Sequence, residues 1–107
     1  MTTIEHILEV LSQMVGTPTF RRRFSAPQLL REPAEVERVR ENLPSSLLPF
    51  MREENPGWWD IYALDMTDPL RERVVVWADN AVVAEWSSFD EFLKWIREEL
   101  PGTSGSR

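Results

Sequence analysis

The chain has 107 residues, 42% of them hydrophobic, and carries a formal charge of −6 from 18 acids against 12 Lys and Arg. That length predicts one domain with a modest core, and the absence of Cys removes disulfides, thiolate catalysis and cysteine-held metals. No apolar run approaches the about 20 residues of a membrane span, the acidic start MTTIEHILEVL lacks the character of an export signal, and the negative balance disfavours nucleic acid. A soluble cytoplasmic protein is the expectation.

Ile4, Ile7, Leu8, Leu11, Met14 and Val15 recur at helical spacing and predict a first amphipathic helix. Thr2 and Glu5 have the form of a capping box at its start, and Gly16 with Pro18 stops it. From Thr17 to Glu32 the pattern is irregular, broken by Pro18, Pro27 and the triplet Arg21, Arg22, Arg23. A long connection is expected there, with one turn of helix or a short extended piece. Pro33 suits the first turn of a second helix running to about Asn42, with Val36, Val39 and Leu43 inward and mixed charges outward. After Pro44, Ser45 or Ser46 is expected to cap a short third helix that buries Leu47, Leu48, Phe50 and Met51, with Pro49 in its first turn.

Asn55-Pro56-Gly57 is a turn signal that opens the sheet. Trp58 to Met66 reads as a strand, followed by a connection at Thr67-Asp68-Pro69. Arg73 to Ala78 and Ala81 to Trp86 form a hairpin about the Asp79-Asn80 turn. Val74, Val75 and Val76 do not alternate in polarity, which predicts a strand covered on both faces. Ser88 and Glu91 form a capping box for the last helix, whose stripe is Phe89, Phe92, Leu93, Ile96 and Leu100. The expected fold is α+β: a small antiparallel β-meander of three or more strands packed against N-terminal and C-terminal helices. It forms a single domain over residues 1–100, with a flexible tail at 101–107.

Taken together, Leu43-Pro44 with Leu47, Phe50 and the Asn55–Gly57 turn, then YALD at Tyr62–Asp65, VVVW at Val74–Trp77 and the closing SSFDEFLKWI, resemble the SUKH superfamily. That superfamily includes bacterial toxin-immunity proteins and fungal regulators of cell-wall synthesis. The resemblance covers residues 33–100 and leaves residues 1–32, the first helix and its connection, outside it. It implies an immunity-type protein that neutralises a cognate toxin by binding it, with no chemistry of its own.

The residues fit a non-enzymatic reading. His6 is the single His, lies on the polar side of the first helix beside Glu5 and Glu9, and nothing pairs it with a Ser. Asp60, Asp65, Asp68 and Asp79 lack the spacing of a calcium loop. No catalytic, cofactor or metal residue is therefore assigned, and no cofactor is expected. The Arg21–Arg23 triplet is expected to be solvated or to pair with the acids of the second helix. Five Trp residues stand against one Tyr, and aromatic anchors ringed by polar groups are what interfaces use; capping the edges of the core is their other reading. Trp95, off the main stripe, is a further candidate anchor.

The expected partner is a protein, of which a basic toxin domain is one form, since opposite fields speed capture. Neither nucleic acid nor membrane is expected. The acids assigned to it are Glu53, Glu54, Asp60, Asp68, Asp79 and Glu85, with Trp58, Trp59 and Trp86 as anchors. The alternative is a homodimeric structural or regulatory module that pairs through the first helix or an exposed strand edge. The chain is thus a monomer or a homodimer.

Overall fold

A computed structural model describes residues 3–68 and 70–98. In chain order the elements are α1 (Ile4–Met14), α2 (Pro18–Arg23), β1 (Pro27–Leu29), α3 (Pro33–Arg40), β2 (Leu47–Asn55), β3 (Trp58–Asp65), β4 (Arg73–Ala78), β5 (Ala81–Trp86) and α4 (Phe89–Arg97).

Two tight turns organise the sheet. Gly57, at φ +96°, supplies a backbone conformation that a side chain would strain, and lets Asn55 face Trp58 across the β2–β3 hairpin. Asp79 and Asn80 both sit in the left-handed region, at φ 55° and 61°. A two-residue turn of that kind matches the twist of the strands it joins, here β4 and β5 with Ala78 opposite Ala81. With β3 paired to β4 and β1 to β2, the result is one antiparallel sheet in the order β1-β2-β3-β4-β5.

The α+β class, the three expected strands and both flanking helices are present, and two further strands join them. The segment expected as a third helix is β2. Pro49 is accommodated because the ladder shifts register between Pro49 and Met51, and such an irregularity is where a sheet tolerates Pro. The same shift sends both Phe50 and Met51 into the main core, which erases the alternation by which a strand is recognised. The irregular stretch before the second helix contains both of its expected alternatives, α2 and β1.

The helices cover the sheet unequally. On one face α1, α2 and α4 bury Ile7, Leu11, Phe20, Phe92 and Ile96 against Phe50, Tyr62, Leu64, Val74 and Val76. The first helix is therefore part of the same core as the sheet and α4. On the other face only α3 is present, beside a small cluster of Leu47, Ala63 and Val75 with Leu43 and Trp77 packed on it. No residue of α3 is fully buried. Polar contacts hold it instead: Gln28 Nε2 donates to Glu35 Oε2 at 3.0 Å, and Arg52 Nε donates to Gln28 Oε1 at 3.1 Å.

Caps fix the helix ends. The His6 amide donates to Thr3 Oγ1 at 3.1 Å, so the cap of α1 is Thr3 rather than Thr2, which lies outside the described residues. The Glu91 amide donates to Ser88 Oγ at 3.1 Å, as expected for α4. Arg23 Nε and Nη2 donate to the carbonyls of Trp95 and Glu98, each at 3.1 Å, with the guanidinium 4.7 Å from the Trp95 ring centroid. A cation there satisfies orphan carbonyls and complements the helix dipole. Arg23 thus serves α4, not solvent or the second helix, and Trp95, half-buried, packs against Phe24, Trp86 and Phe92. Leu100, Pro69 and the tail at 101–107 lie outside the described residues.

At the end of β3, Asp65 is buried. It accepts from the Thr67 amide at 2.9 Å and from Thr67 Oγ1 at 2.6 Å. Arg73 also donates to it while bridging to Glu85. Burial alone would raise the Asp65 pKa, but the Thr67 and Arg73 hydrogen bonds prevail and hold it below the usual carboxylate value. A depressed carboxylate contributes stability that is present above its unfolded pKa of about 3.9 and is lost as pH falls through the folded value.

Phe92→Ala, which removes a fully buried ring, should cost about 3–5 kcal/mol in urea unfolding, with the slope unchanged if the sheet survives. Asp65→Asn should lower stability at neutral pH by about 1–3 kcal/mol. It should also flatten the loss of stability that the parent shows below about pH 4, read by thermal unfolding across an acid series.

Candidate functional site

Strand alternation decides which side chains can meet. On β3, Trp58, Asp60, Tyr62 and Leu64 point to the face carrying α1, α2 and α4, and Trp59, Ile61, Ala63 and Asp65 to the face carrying α3. Across the ladder Glu53 stands opposite Asp60 and Glu54 opposite Trp59.

The nine partner-site residues accordingly divide. Glu53, Trp58, Asp60 and Trp86 lie on the face of the three helices. Glu54, Trp59 and Glu85 lie on the other, and Asp79 sits in the β4–β5 turn beside the α3 groove. Asp68 is at the opposite end of the sheet from Trp58, where its carboxylate accepts from the Leu70 amide at 3.0 Å. They do not form one continuous patch.

Several of them have structural work. Glu53 is only 8% exposed. Its Oε2 accepts from the Ser25 amide at 2.7 Å, with Ser25 Oγ at 3.4 Å and the Ala26 amide at 3.5 Å, which fixes the entry into β1. Glu85 is engaged by Arg73. Trp59 remains 39% exposed but is stacked by Arg52, whose guanidinium carbon lies 4.2 Å from the ring centroid. Trp86 is half-buried, 4.9 Å between centroids from both Phe92 and Trp95.

Trp58 is different. It is 52% exposed, and its indole Nε1–H donates to Asp60 Oδ1 at 3.0 Å while Asn55 Nδ2 donates to Asp60 Oδ2 at 2.9 Å. An exposed ring is thereby held in one orientation beside an acidic side chain.

Two open grooves flank these residues. One, of about 440 Å³, runs between α3 and the sheet, with Arg38, Val39, Trp59, Ile61 and Trp77 among its walls. The other, of about 700 Å³, lies on the face of the three helices where α2 and α4 end. Tyr62 and Val76 line it together with Trp86, Trp95, Asp60 and Val83. Tyr62 is just 6% exposed. Burial, and then the charges of Glu53 and Asp60, push its phenol well above its ordinary pKa, so it stays a neutral hydroxyl. Sequence reasoning did not single out Tyr62, although its position two residues after Asp60 put both on one face of the strand. Arg23 and Trp95 reach the groove only through the packing of α2 on α4, which no local pattern reveals.

The arrangement suits recognition by aromatic and acidic groups. His6 is exposed on α1, its ring edge-on to Phe89 at 6.1 Å. Among the described residues no three His, Cys, Asp or Glu gather so as to hold a metal ion, and no helix is long and apolar enough to cross a membrane. No protein-family model matches the chain, and neither the curated proteins nor the solved structures compared with it give a match, so the functional reading rests on these residues themselves.

Proposed function

We propose that this chain is a non-enzymatic, cytoplasmic protein-binding domain, a short member of the SUKH group that neutralises a cognate toxin by covering it. The observation that supports this most is Trp58, a half-exposed indole locked to Asp60 at the tip of the β2–β3 hairpin. Leaving so large an apolar ring in water forgoes its burial, and interfaces draw their strongest contacts from fixed aromatic side chains beside polar ones. The net charge of −6 favours capture of a basic partner.

The test is affinity capture from lysate of the source cells with the parent and with a Trp58→Ser/Asp60→Asn variant, at low and high salt, followed by co-expression with whatever is retained. A basic protein held by the parent, released by salt, lost by the variant and toxic without this chain is the expected result. A retained protein that is harmless on its own removes the immunity reading.

Self-association through β5 is the second reading. β5 is an edge strand, and Val82 and Val83 on it are 44% and 58% exposed, an apolar contact that a second copy could cover. Sedimentation of the free protein over a wide concentration range separates the two. The toxin-binding reading expects a monomer throughout, whereas a dimer dissociated by Val83→Lys establishes the second.

A further inference from the structure

We propose that the groove lined by Tyr62, Trp86, Trp95 and Asp60 receives an arginine side chain presented by the partner protein. This deepens the protein-binding reading and rests on it.

Three features of the groove lead there. The first is a pair of acids that no cation among the described residues contacts. Glu53 and Asp60 face each other across the ladder, an arrangement that is unfavourable by itself, and the groups that hold them are neutral: backbone amides, a hydroxyl, a carboxamide and an indole. The ion pairs formed by the described residues involve other acids. Each Asp60 oxygen accepts one of these bonds, and a carboxylate oxygen can accept a second.

The second feature is Tyr62. Its hydroxyl lines the groove and makes no hydrogen bond to any described residue, although the side chain is more than nine-tenths buried. The ring is what is buried; the hydroxyl itself is not among the enclosed polar atoms and stays open to a donor that enters the groove. The oxygen, kept neutral by its surroundings, can accept from a cationic donor that also reaches Asp60.

The third feature is the aromatic wall. Trp86 and Trp95 lie 4.9 Å apart between centroids, and Arg23 already stacks on Trp95 at 4.7 Å. That wall thus accepts a guanidinium within the protein itself. Arg23 lines the same groove, but its donors are turned to the α4 carbonyls and it forms no ion pair with Asp60. A planar, weakly hydrated guanidinium stacks on rings and forks onto a carboxylate, whereas an ammonium remains a strongly hydrated point charge. The geometry therefore favours arginine over lysine. Val83 and Ala84 continue the floor toward the β5 edge, where the apolar stem of the incoming side chain would lie.

The experiment uses the whole chain and n-butylguanidinium as probe, with n-butylurea and n-butylammonium as controls. The indole N–H signals of the five Trp residues are followed by NMR. Saturable shifts confined to Trp58, Trp86 and Trp95 are expected with n-butylguanidinium, little response to n-butylurea, and weaker binding of n-butylammonium. Asp60→Asn should weaken the guanidinium about tenfold. Tyr62→Phe, which leaves the Trp58 anchor intact, should weaken it by a smaller factor.

Absence of saturable shifts, shifts centred on Trp59 and Trp77, or an equal response to n-butylurea would each overturn the site. Unchanged affinity in both variants, each with the parent's dispersion of amide signals, would do so too. Equal affinity for n-butylammonium overturns the assignment to arginine. Because no partner is present, a failure here removes this site alone and leaves the capture experiment to decide the protein-binding reading.

Discussion

Phe92 is buried among the rings of Phe24, Phe50, Tyr62, Trp86 and Trp95, and the rest of the molecule is arranged around that contact. The sheet is local: β2–β3 and β4–β5 are hairpins closed by the shortest turns. The helices are not, because α1 and α2 come from the beginning of the chain and α4 from its far end. Phe24 and Phe92 meet only after the ends of the chain are brought together, at an entropic cost that grows slowly with the length of the intervening loop. Apolar burial at this one place offsets that cost, and tilted or edge-to-face ring pairs contribute on the order of 0.5–1.5 kcal/mol each beyond area.

The same constraint explains where the surface is left open. α2 and α4 are short and end together, with Arg23 closing the carbonyls of Trp95 and Glu98. Beyond that point β3 continues toward the hairpin tip with no helix above it, so Asp60 and the hydroxyl end of the otherwise buried Tyr62 border the groove. The opposed acids Glu53 and Asp60 are tolerated because they do different things. Glu53 is turned inward to the Ser25 and Ala26 amides, and Asp60 is turned outward to Asn55 and Trp58. One acid builds the fold and the other faces the groove.

Much of this was legible in the sequence, for particular reasons. Turns that demand special backbone angles announced themselves: Asp79-Asn80 placed the β4–β5 hairpin, Asn55-Pro56-Gly57 placed the start of β3, and Ser88 with the Phe89–Ile96 stripe placed α4. Leu47–Asn55 was misread because an apolar run without alternation looks alike in a buried strand and a short helix, and the register shift after Pro49 removed the alternation that would have separated them. β1, only three residues long with a Pro, exists because β2 offers it an edge. Arg23 was misjudged for a related reason: it was judged within its own segment, and what fixed it was a helix packed across from it. Of the site, the pair Asp60 and Trp58 was visible from alternation. The open hydroxyl of Tyr62 was not, since it depends on where α2 and α4 stop.

The edge of the sheet constrains how a partner can dock. β5 has a free edge, but its pairing with β4 slips between Val76 and Trp77, so that Val76 faces Ala84 and Trp77 faces Val82. Val83 is the extra residue at the bulge. A bulge twists the strand and interrupts the row of backbone groups that an added strand would need. Continuous strand addition along β5 is therefore unfavourable, while the side chains displaced by the bulge remain presented to solvent. Val83 then stands at the mouth of the groove that Tyr62 floors. A partner that uses this surface gains more from inserting a side chain between Asp60 and the tryptophans than from extending the sheet.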